Sequence, residues 1–229
     1  GMGCPVEMEF SVNLSPDDDR PSEFAFLQLR PMTARAELMK VDITSDEIRQ
    51  AVCFSSAALG NAHHRELADI LFVRPEVFDP AQSREIARQI GQLNGLQMQQ
   101  ERKYLLVGPG RWGSNDPWLG IPVKWTDICG VGAIVETADE AIKAEPSQGS
   151  HFFHNITTLG INYITIAPGD RDFFDWEWLA SQPITDQTEF VARVRLDQPL
   201  TLKVDGRISH GVLLYEKSSA GENSKGEAR

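Results

Sequence analysis

Apolar and polar residues alternate along two stretches near the start of the chain, 5–14 and 23–30. A period of two is the pattern of a β-strand with one face turned towards a core. The segment between them, 15–21, is rich in proline and aspartate, which is typical of a turn or loop. The sequence therefore predicts a β-hairpin with an acidic loop. Because two strands alone are not stable, the hairpin has to pack on something else.

The remainder of the chain mixes strand and helix patterns. Short apolar runs predict strands at 36–43, 67–73, 103–107, 131–136, 162–167, 190–196, 200–204 and 209–215. Helices are predicted after Thr44 or Ser45, after Asp79 with Pro80 at its first position, and over 151–159 after Ser150. The fold class is α/β in the broad sense, a mixed α+β fold with a mixed sheet. There are too few βαβ units for a doubly wound sheet.

Composition divides the chain into three parts. Residues 1–40 contain the hairpin, which we expect to pack on a mixed-sheet α/β domain over 41–217. Residues 218–229 contain no large apolar side chain and are predicted to be disordered.

Charge and cysteine content exclude several classes of protein. The chain has 229 residues and a formal net charge of -11, which argues against non-specific binding to nucleic acid. The 3 cysteines are far apart, which argues against a disulfide framework or a cysteine zinc site and favours a reducing cytoplasm. No apolar run has the length of a membrane span, and no leader opens the chain. Gly1 ahead of Met2 is typical of a residue left by tag removal, so we expect a piece of a longer protein.

A glycine-rich loop, 108–114, follows the predicted strand at 103–107. Gly108 and Gly110 let backbone N–H groups approach an anion, and Arg111 adds a forked donor for phosphate. The loop is neither a Walker loop nor a dinucleotide-binding fingerprint. The alternative is a tight turn that places Trp112 in a core and Arg111 at the surface.

Three tryptophans lie within fourteen residues in this region, at Trp112, Trp118 and Trp125. They predict either an aromatic-walled pocket or a compact satellite core, and the core is the more common outcome. The acidic and aromatic segment 172–178 is predicted to be a lid or a packing segment.

Histidines supply a further set of candidates. Ser150 caps the predicted helix at 151–159, so its first amides and dipole suit an anion. His151 in that first turn is a candidate acid, base or phosphoryl acceptor. With His154 it also forms a possible metal pair, although a structural histidine is the more common case. His63 and His64 are predicted to lie in a loop or at a helix end.

The two hairpin strands carry a carboxylate, an amide and a guanidinium. Glu9 lies on the first strand, and Gln28 and Arg30 share a face of the second. Such a set can build a metal–nucleotide site, in which Glu9 binds Mg²⁺ and Arg30 binds a phosphate. The alternative is an exposed hairpin with an ordinary cross-strand ion pair.

These hairpin residues carry a resemblance to a known family. The runs 5–10 (PVEMEF) and 26–32 (FLQLRPM) resemble the end of the ATP-grasp domain of phosphoenolpyruvate synthases and pyruvate phosphate dikinases. The resemblance implies that Glu9 corresponds to a carboxylate of the Mg²⁺–ATP site and that Gln28 and Arg30 correspond to residues near the phosphates. It covers only about the first thirty-two residues. The family's phosphohistidine motif is absent from this sequence.

The resemblance implies a fragment of an ATP-dependent phosphotransferase, a kinase of the phosphoenolpyruvate synthase type. ATP and Mg²⁺ would be its cofactors in the intact protein, and the fragment is expected to be inactive alone. Its expected partners are a nucleotide or phosphorylated small molecule and the missing N-terminal part of the same protein, without nucleic acid or membrane. The alternative function is a non-catalytic domain that senses or docks phosphate or nucleotide.

Overall fold

The chain divides into two compact units, Gly1–Met39 and Lys40–Arg229. The structure is a computed structural model that describes residues 6–15, 21–31, 40–138, 156, 159–166, 169 and 171–216. The predicted tail at 218–229 lies outside the described residues.

The first unit is the hairpin predicted from the alternating pattern. Strand β1 (Val6–Asn13) pairs antiparallel with strand β2 (Glu23–Pro31). The register shifts by one residue between Glu9 and Phe10, which leaves Leu27 as the extra residue of a bulge in β2. On one face the rings of Phe10 and Phe24 stack, with their centroids 5.2 Å apart.

The second unit consists mainly of strands. Its strands are β3 (Ala51–Ser55), β4 (Ala57–Leu59), β5 (Ala62–Val73), β6 (Tyr104–Pro109), β7 (Arg111–Trp112), β8 (Gly120–Ile121), β9 (Val131–Thr137), β10 (Asn162–Thr165), β11 (Phe173–Phe174), β12 (Ile184–Gln187), β13 (Val191–Asp205) and β14 (His210–Leu214). The α-helices whose bounds lie within the described residues are α1 (Ser45–Gln50), α2 (Ser83–Gln99) and α3 (Trp176–Ala180), with 3₁₀ turns at Pro75–Val77, Pro80–Gln82 and Trp125–Asp127. The predicted mixed α+β class with a large mixed sheet is confirmed.

The large sheet closes on itself. Its strand order is β11-β3-β14-β13-β5-β6-β9-β10-β4, with β12 paired to β13. Strands β3 and β4 are consecutive in the chain and are separated by Ser56 alone. Because β3 pairs with β14 and β4 pairs with β10, the chain from Ala51 to Leu59 joins the two sides of the sheet. The Ala58 amide also donates to the Ser209 carbonyl oxygen at 2.8 Å.

The two largest apolar clusters lie on the two faces of this sheet, and a smaller third cluster contains Ala51, Phe54 and Val212 of β3 and β14. The inner cluster takes residues from every strand of the closed ring, namely Val52, Ala58, Ile70, Leu105, Ala133, Ile164, Ala192 and Leu213. The outer cluster lies between the parallel strands and helix α2, which contributes Ile86 and Ile90. Along β6 the two clusters alternate with a period of two, since Leu105 is inner and Leu106 is outer. The strands therefore have apolar side chains on both faces, as buried parallel strands do.

The predicted start of helix α1 agrees with the structure, whereas the predicted start of helix α2 is three residues too early. Thr44 caps α1, as predicted, and its Oγ1 accepts a hydrogen bond from the Glu47 amide at 3.2 Å. Asp79 accepts a hydrogen bond from the Ala81 amide, but it caps the 3₁₀ turn Pro80–Gln82. The α-helix itself begins at Ser83.

Three strand predictions need correction. His63 and His64 lie in β5, so their assignment to a loop or helix end was wrong. The predicted strands at 190–196 and 200–204 are one strand, β13, whose register against β5 shifts between Arg195 and Leu200. The described part of the predicted strand at 36–43 is not a strand.

Candidate functional site

Four neighbouring strands of the closed sheet run parallel, β5, β6, β9 and β10. Their carboxyl ends meet at one edge of the sheet, which is where ligands commonly bind in sheets of parallel strands. Five residues with charged, polar or aromatic side chains, or with a special backbone conformation, lie near these strand ends. We call this group the edge site, and its members are Gly110, Arg111, Trp112, Glu136 and Tyr163.

The backbone of the glycine loop is fixed by packing. A Cβ on Gly108 would lie 2.8 Å from Cζ2 of Trp112 and 2.9 Å from Cγ2 of Val73, so a side chain does not fit there. Gly110 has a φ of 67°, in the left-handed region, and its amide donates to the Thr137 carbonyl oxygen at 3.1 Å. The sheet thus engages the Gly110 amide, and the half-buried side chain of Arg111 is the positively charged group of the loop.

Trp112 belongs to the core and is only 1% exposed. Its Nε1 donates to the Val135 carbonyl oxygen at 3.4 Å, and its backbone hydrogen-bonds the Tyr163 hydroxyl. The packing alternative for this residue is therefore confirmed. A buried indole on the adjacent residue also fixes the backbone from which the Arg111 side chain extends.

A buried acid and a buried phenol lie within the electrostatic influence of Arg111. Glu136 is 4% exposed and Tyr163 is 1% exposed, and the Tyr163 hydroxyl donates to Oε2 of Glu136. Burial raises the pKa of Glu136, although the hydrogen bond from Tyr163 and the charge of Arg111 both oppose that rise. Burial also raises the pKa of Tyr163, helped by the negative charge of Glu136. Both groups therefore lose their protons less readily than they would in water.

This arrangement determines what the edge site can do chemically. While Glu136 is ionised, its carboxylate attracts the Arg111 guanidinium. Protonation of Glu136 removes that attraction and leaves the local charge more positive. The combination suits reversible binding of an anion such as a phosphate group.

Glu136 belongs to no motif, so it was not identified from the sequence. One feature of the sequence could have done so. The apolar run Val131–Val135 is followed directly by this acidic residue, and a buried carboxyl group near the end of a strand is uncommon. Tyr163 gave no signal, because its contact with Glu136 depends on the parallel pairing of β9 with β10.

The hairpin residues named by the resemblance occupy neighbouring positions. Glu9 pairs directly with Gln28, and Glu7 pairs with Arg30. Because the bulge at Leu27 shifts the register, Gln28 comes opposite Glu9 while Phe26 comes opposite Phe10. Both Glu9 and Gln28 are exposed. Of Arg30 the structure describes the backbone.

The remaining candidates are Ser150, the histidines of the same region and the segment 172–178. Ser150 and His151 lie outside the described residues, as does His154. Among the residues that the structure describes, no three His, Cys, Asp or Glu side chains are grouped so that they could hold a metal ion. The segment predicted to be a lid or packing element is a packing element, since Trp176 and Trp178 pack against the inner cluster.

Comparison of the chain with protein-family models, with curated proteins and with solved structures finds no match of any of the three kinds. Within the described part of the chain, no helix combines the length and the apolar character needed to cross a membrane. The function proposed below therefore depends on the edge site and on the pairing of the hairpin.

Proposed function

We propose that the edge site binds the phosphate group of a small molecule or nucleotide, with Arg111 as its principal donor. The observation that carries this proposal is the position of Arg111. It lies at the carboxyl ends of parallel strands, beside a buried carboxyl group whose pKa is raised. A guanidinium donates two parallel hydrogen bonds to phosphate, and it does so most strongly where water is partly excluded.

In the longer protein implied by the resemblance, this chain would belong to an ATP-dependent phosphotransferase of the phosphoenolpyruvate synthase type. Glu9 would bind Mg²⁺, and Gln28 and Arg30 would contact the phosphates of ATP. The pairing of Glu9 with Gln28 supports this part of the proposal, because it brings a carboxylate and an amide to adjacent positions. His151 is the proposed phosphoryl acceptor.

A second candidate function is the sensing or docking of a phosphorylated ligand without chemistry. One observation favours it. The Tyr163 hydroxyl and the Glu136 carboxyl are hydrogen-bonded to each other, so each already has a partner within the protein. Such a site would bind and release an anion unchanged.

The binding proposal is tested by titration calorimetry with inorganic phosphate, phosphoenolpyruvate and ATP. Arg111→Ala is expected to weaken phosphate binding by about ten-fold or more, because the variant loses a charge-assisted pair of hydrogen bonds. Arg65→Ala is the matched control. It removes the same charge from an exposed residue of β5 that hydrogen-bonds Pro199 and Glu216.

Wild-type protein that binds none of the three compounds contradicts the proposal, and so does equal affinity of the wild type and Arg111→Ala. The two functions are separated by incubating the longer protein with labelled ATP. Acid-labile label that is lost in His151→Ala supports phosphotransfer. ATP binding without any uptake of label supports sensing.

A further inference from the structure

Trp118 differs from the other tryptophans of the chain in its exposure. It is 63% exposed, whereas Trp112 is buried and Trp125, Trp176 and Trp178 pack against the apolar clusters. Exposing an indole to water forgoes a large favourable free energy of burial. A single exposed tryptophan that is held close to a charged binding residue therefore indicates a surface that a ligand can cover.

The loop that carries Trp118 is held in one conformation by its own hydrogen bonds. The Trp118 amide donates to Oδ1 of Asp116 at 3.0 Å, and the amides of Leu119 and Gly120 both donate to the Asp116 carbonyl oxygen. The Asp116 amide in turn donates to Oγ of Ser114 at 3.2 Å. The indole is thus presented on a fixed backbone, which lowers the entropy that a ligand would lose in ordering it.

The same loop is joined directly to the edge site. The Arg111 amide donates to the Leu119 carbonyl oxygen at 2.9 Å, and Arg111 pairs with Gly120 in the short parallel pair β7–β8. Trp118 is two residues from Gly120, so its Cα lies within about 8 Å of the Gly120 Cα. Paired strands are separated by about 5 Å. The two long side chains of Arg111 and Trp118 can therefore reach opposite ends of one small ligand.

We propose that Trp118 is a stacking surface for a planar ring on the ligand whose phosphate binds Arg111. The inference rests on the proposed phosphate site and adds the class of ligand, a phosphate ester that carries a heteroaromatic base. Stacking on an aromatic side chain tolerates any base, because every base has a π-face. The Asp116 carboxylate repels phosphate from the Trp118 end of the loop, so the phosphate lies towards Arg111 and the ring towards the indole.

The test compares two probes that share a sugar phosphate and differ in the base, AMP and ribose 5-phosphate. Wild-type protein is expected to bind AMP about ten-fold or more tightly than ribose 5-phosphate in titration calorimetry. Trp118→Ala should reduce AMP binding to the level of ribose 5-phosphate and leave ribose 5-phosphate binding unchanged. Trp118→Phe should retain most of the preference, since a phenyl ring also stacks. Ile208→Ala, which truncates another exposed apolar residue, should change neither affinity.

Each outcome separates this inference from the proposed function. Equal affinity of the wild type for AMP and ribose 5-phosphate overturns the role of Trp118, and so does an undiminished preference in Trp118→Ala. The phosphate site stands in both cases if Arg111→Ala still loses ribose 5-phosphate binding. If Arg111→Ala binds ribose 5-phosphate as the wild type does, the proposed function fails instead. A protein partner at Trp118 would leave AMP binding unaffected by the substitution, which also counts against the inference.

Discussion

Glu136 is subject to two opposing influences at the scale of a single residue. Burial favours the neutral acid, whereas the hydrogen bond from Tyr163 and the charge of Arg111 favour the carboxylate. Burial is the larger influence, so the pKa of Glu136 is raised above its ordinary value of 4.5. The folded protein therefore retains a proton on this residue at pH values where the unfolded chain has released it.

Substitution of Glu136 by glutamine is expected to change how stability depends on pH. The stability that wild-type Glu136 contributes is fully present below its unfolded pKa and is lost as the pH rises through its folded pKa. Glutamine is neutral throughout. The free energy of unfolding of Glu136→Gln, relative to the wild type, should therefore increase with pH. Urea unfolding at about pH 4, 6 and 8 measures this difference.

The control for this measurement is Glu189→Gln, which makes the same chemical change at an exposed position. Its stability relative to the wild type should vary less with pH than that of Glu136→Gln. A relative stability of Glu136→Gln that stays constant, or falls, as the pH rises contradicts the assignment of a raised pKa to Glu136.

At the scale of elements, the sequence predicts best what is local. Alternation identified β1 and β2, and the capping residue Thr44 identified the start of α1. The partners of each strand depend on contacts between distant segments, so the order of the sheet could not be predicted. The same limit applies to the edge site, where Arg111 was found through its glycines but Glu136 and Tyr163 were not. Strand β13 was predicted as two strands, and Pro199 lies between them, where a proline usually interrupts a strand.

The role of the hairpin can be tested at Glu9. In the longer protein implied by the resemblance, Glu9→Gln should weaken Mg²⁺-dependent ATP binding by about ten-fold or more, because it removes an anionic ligand from the metal. Glu23→Gln is the matched control, since Glu23 pairs with Asn13 at the other end of the same hairpin. The measurement is the affinity for ATP with and without Mg²⁺. Equal affinity of the two variants for Mg²⁺–ATP would remove Glu9 from the proposed metal site.

At the scale of the second unit, one serine joins the two sides of the closed sheet. Ser55 is buried at the end of β3, and its Oγ donates to the Thr165 carbonyl oxygen of β10 at 2.5 Å. The same Oγ accepts a hydrogen bond from the Ala57 amide at 2.9 Å. One hydroxyl therefore satisfies a donor and an acceptor at the place where the chain passes from β3 to β4.

Ser55→Ala is expected to destabilise the protein by about 1–3 kcal/mol, because it removes a hydrogen-bond partner from one buried and one partly buried backbone group. Ser181→Ala is the control, since Oγ of Ser181 is exposed where it donates to the Trp178 carbonyl oxygen. That change should cost about 0.5 kcal/mol or less. Thermal unfolding followed by circular dichroism gives both values. A loss as small as that of Ser181→Ala would show that Ser55 has no special part in closing the sheet.

Closure of the sheet also affects how the protein is made. Strand β3, at residues 51–55, pairs with β14, at residues 210–214. During synthesis, β3 therefore has no β14 to pair with until almost the last described residues have been made. Pairings between segments so far apart in the chain form slowly. Until β14 arrives, one edge of β3 offers unpaired backbone groups to any other extended chain. We therefore expect a nascent chain, or one shortened before β14, to depend on chaperones and to aggregate more readily than the finished protein.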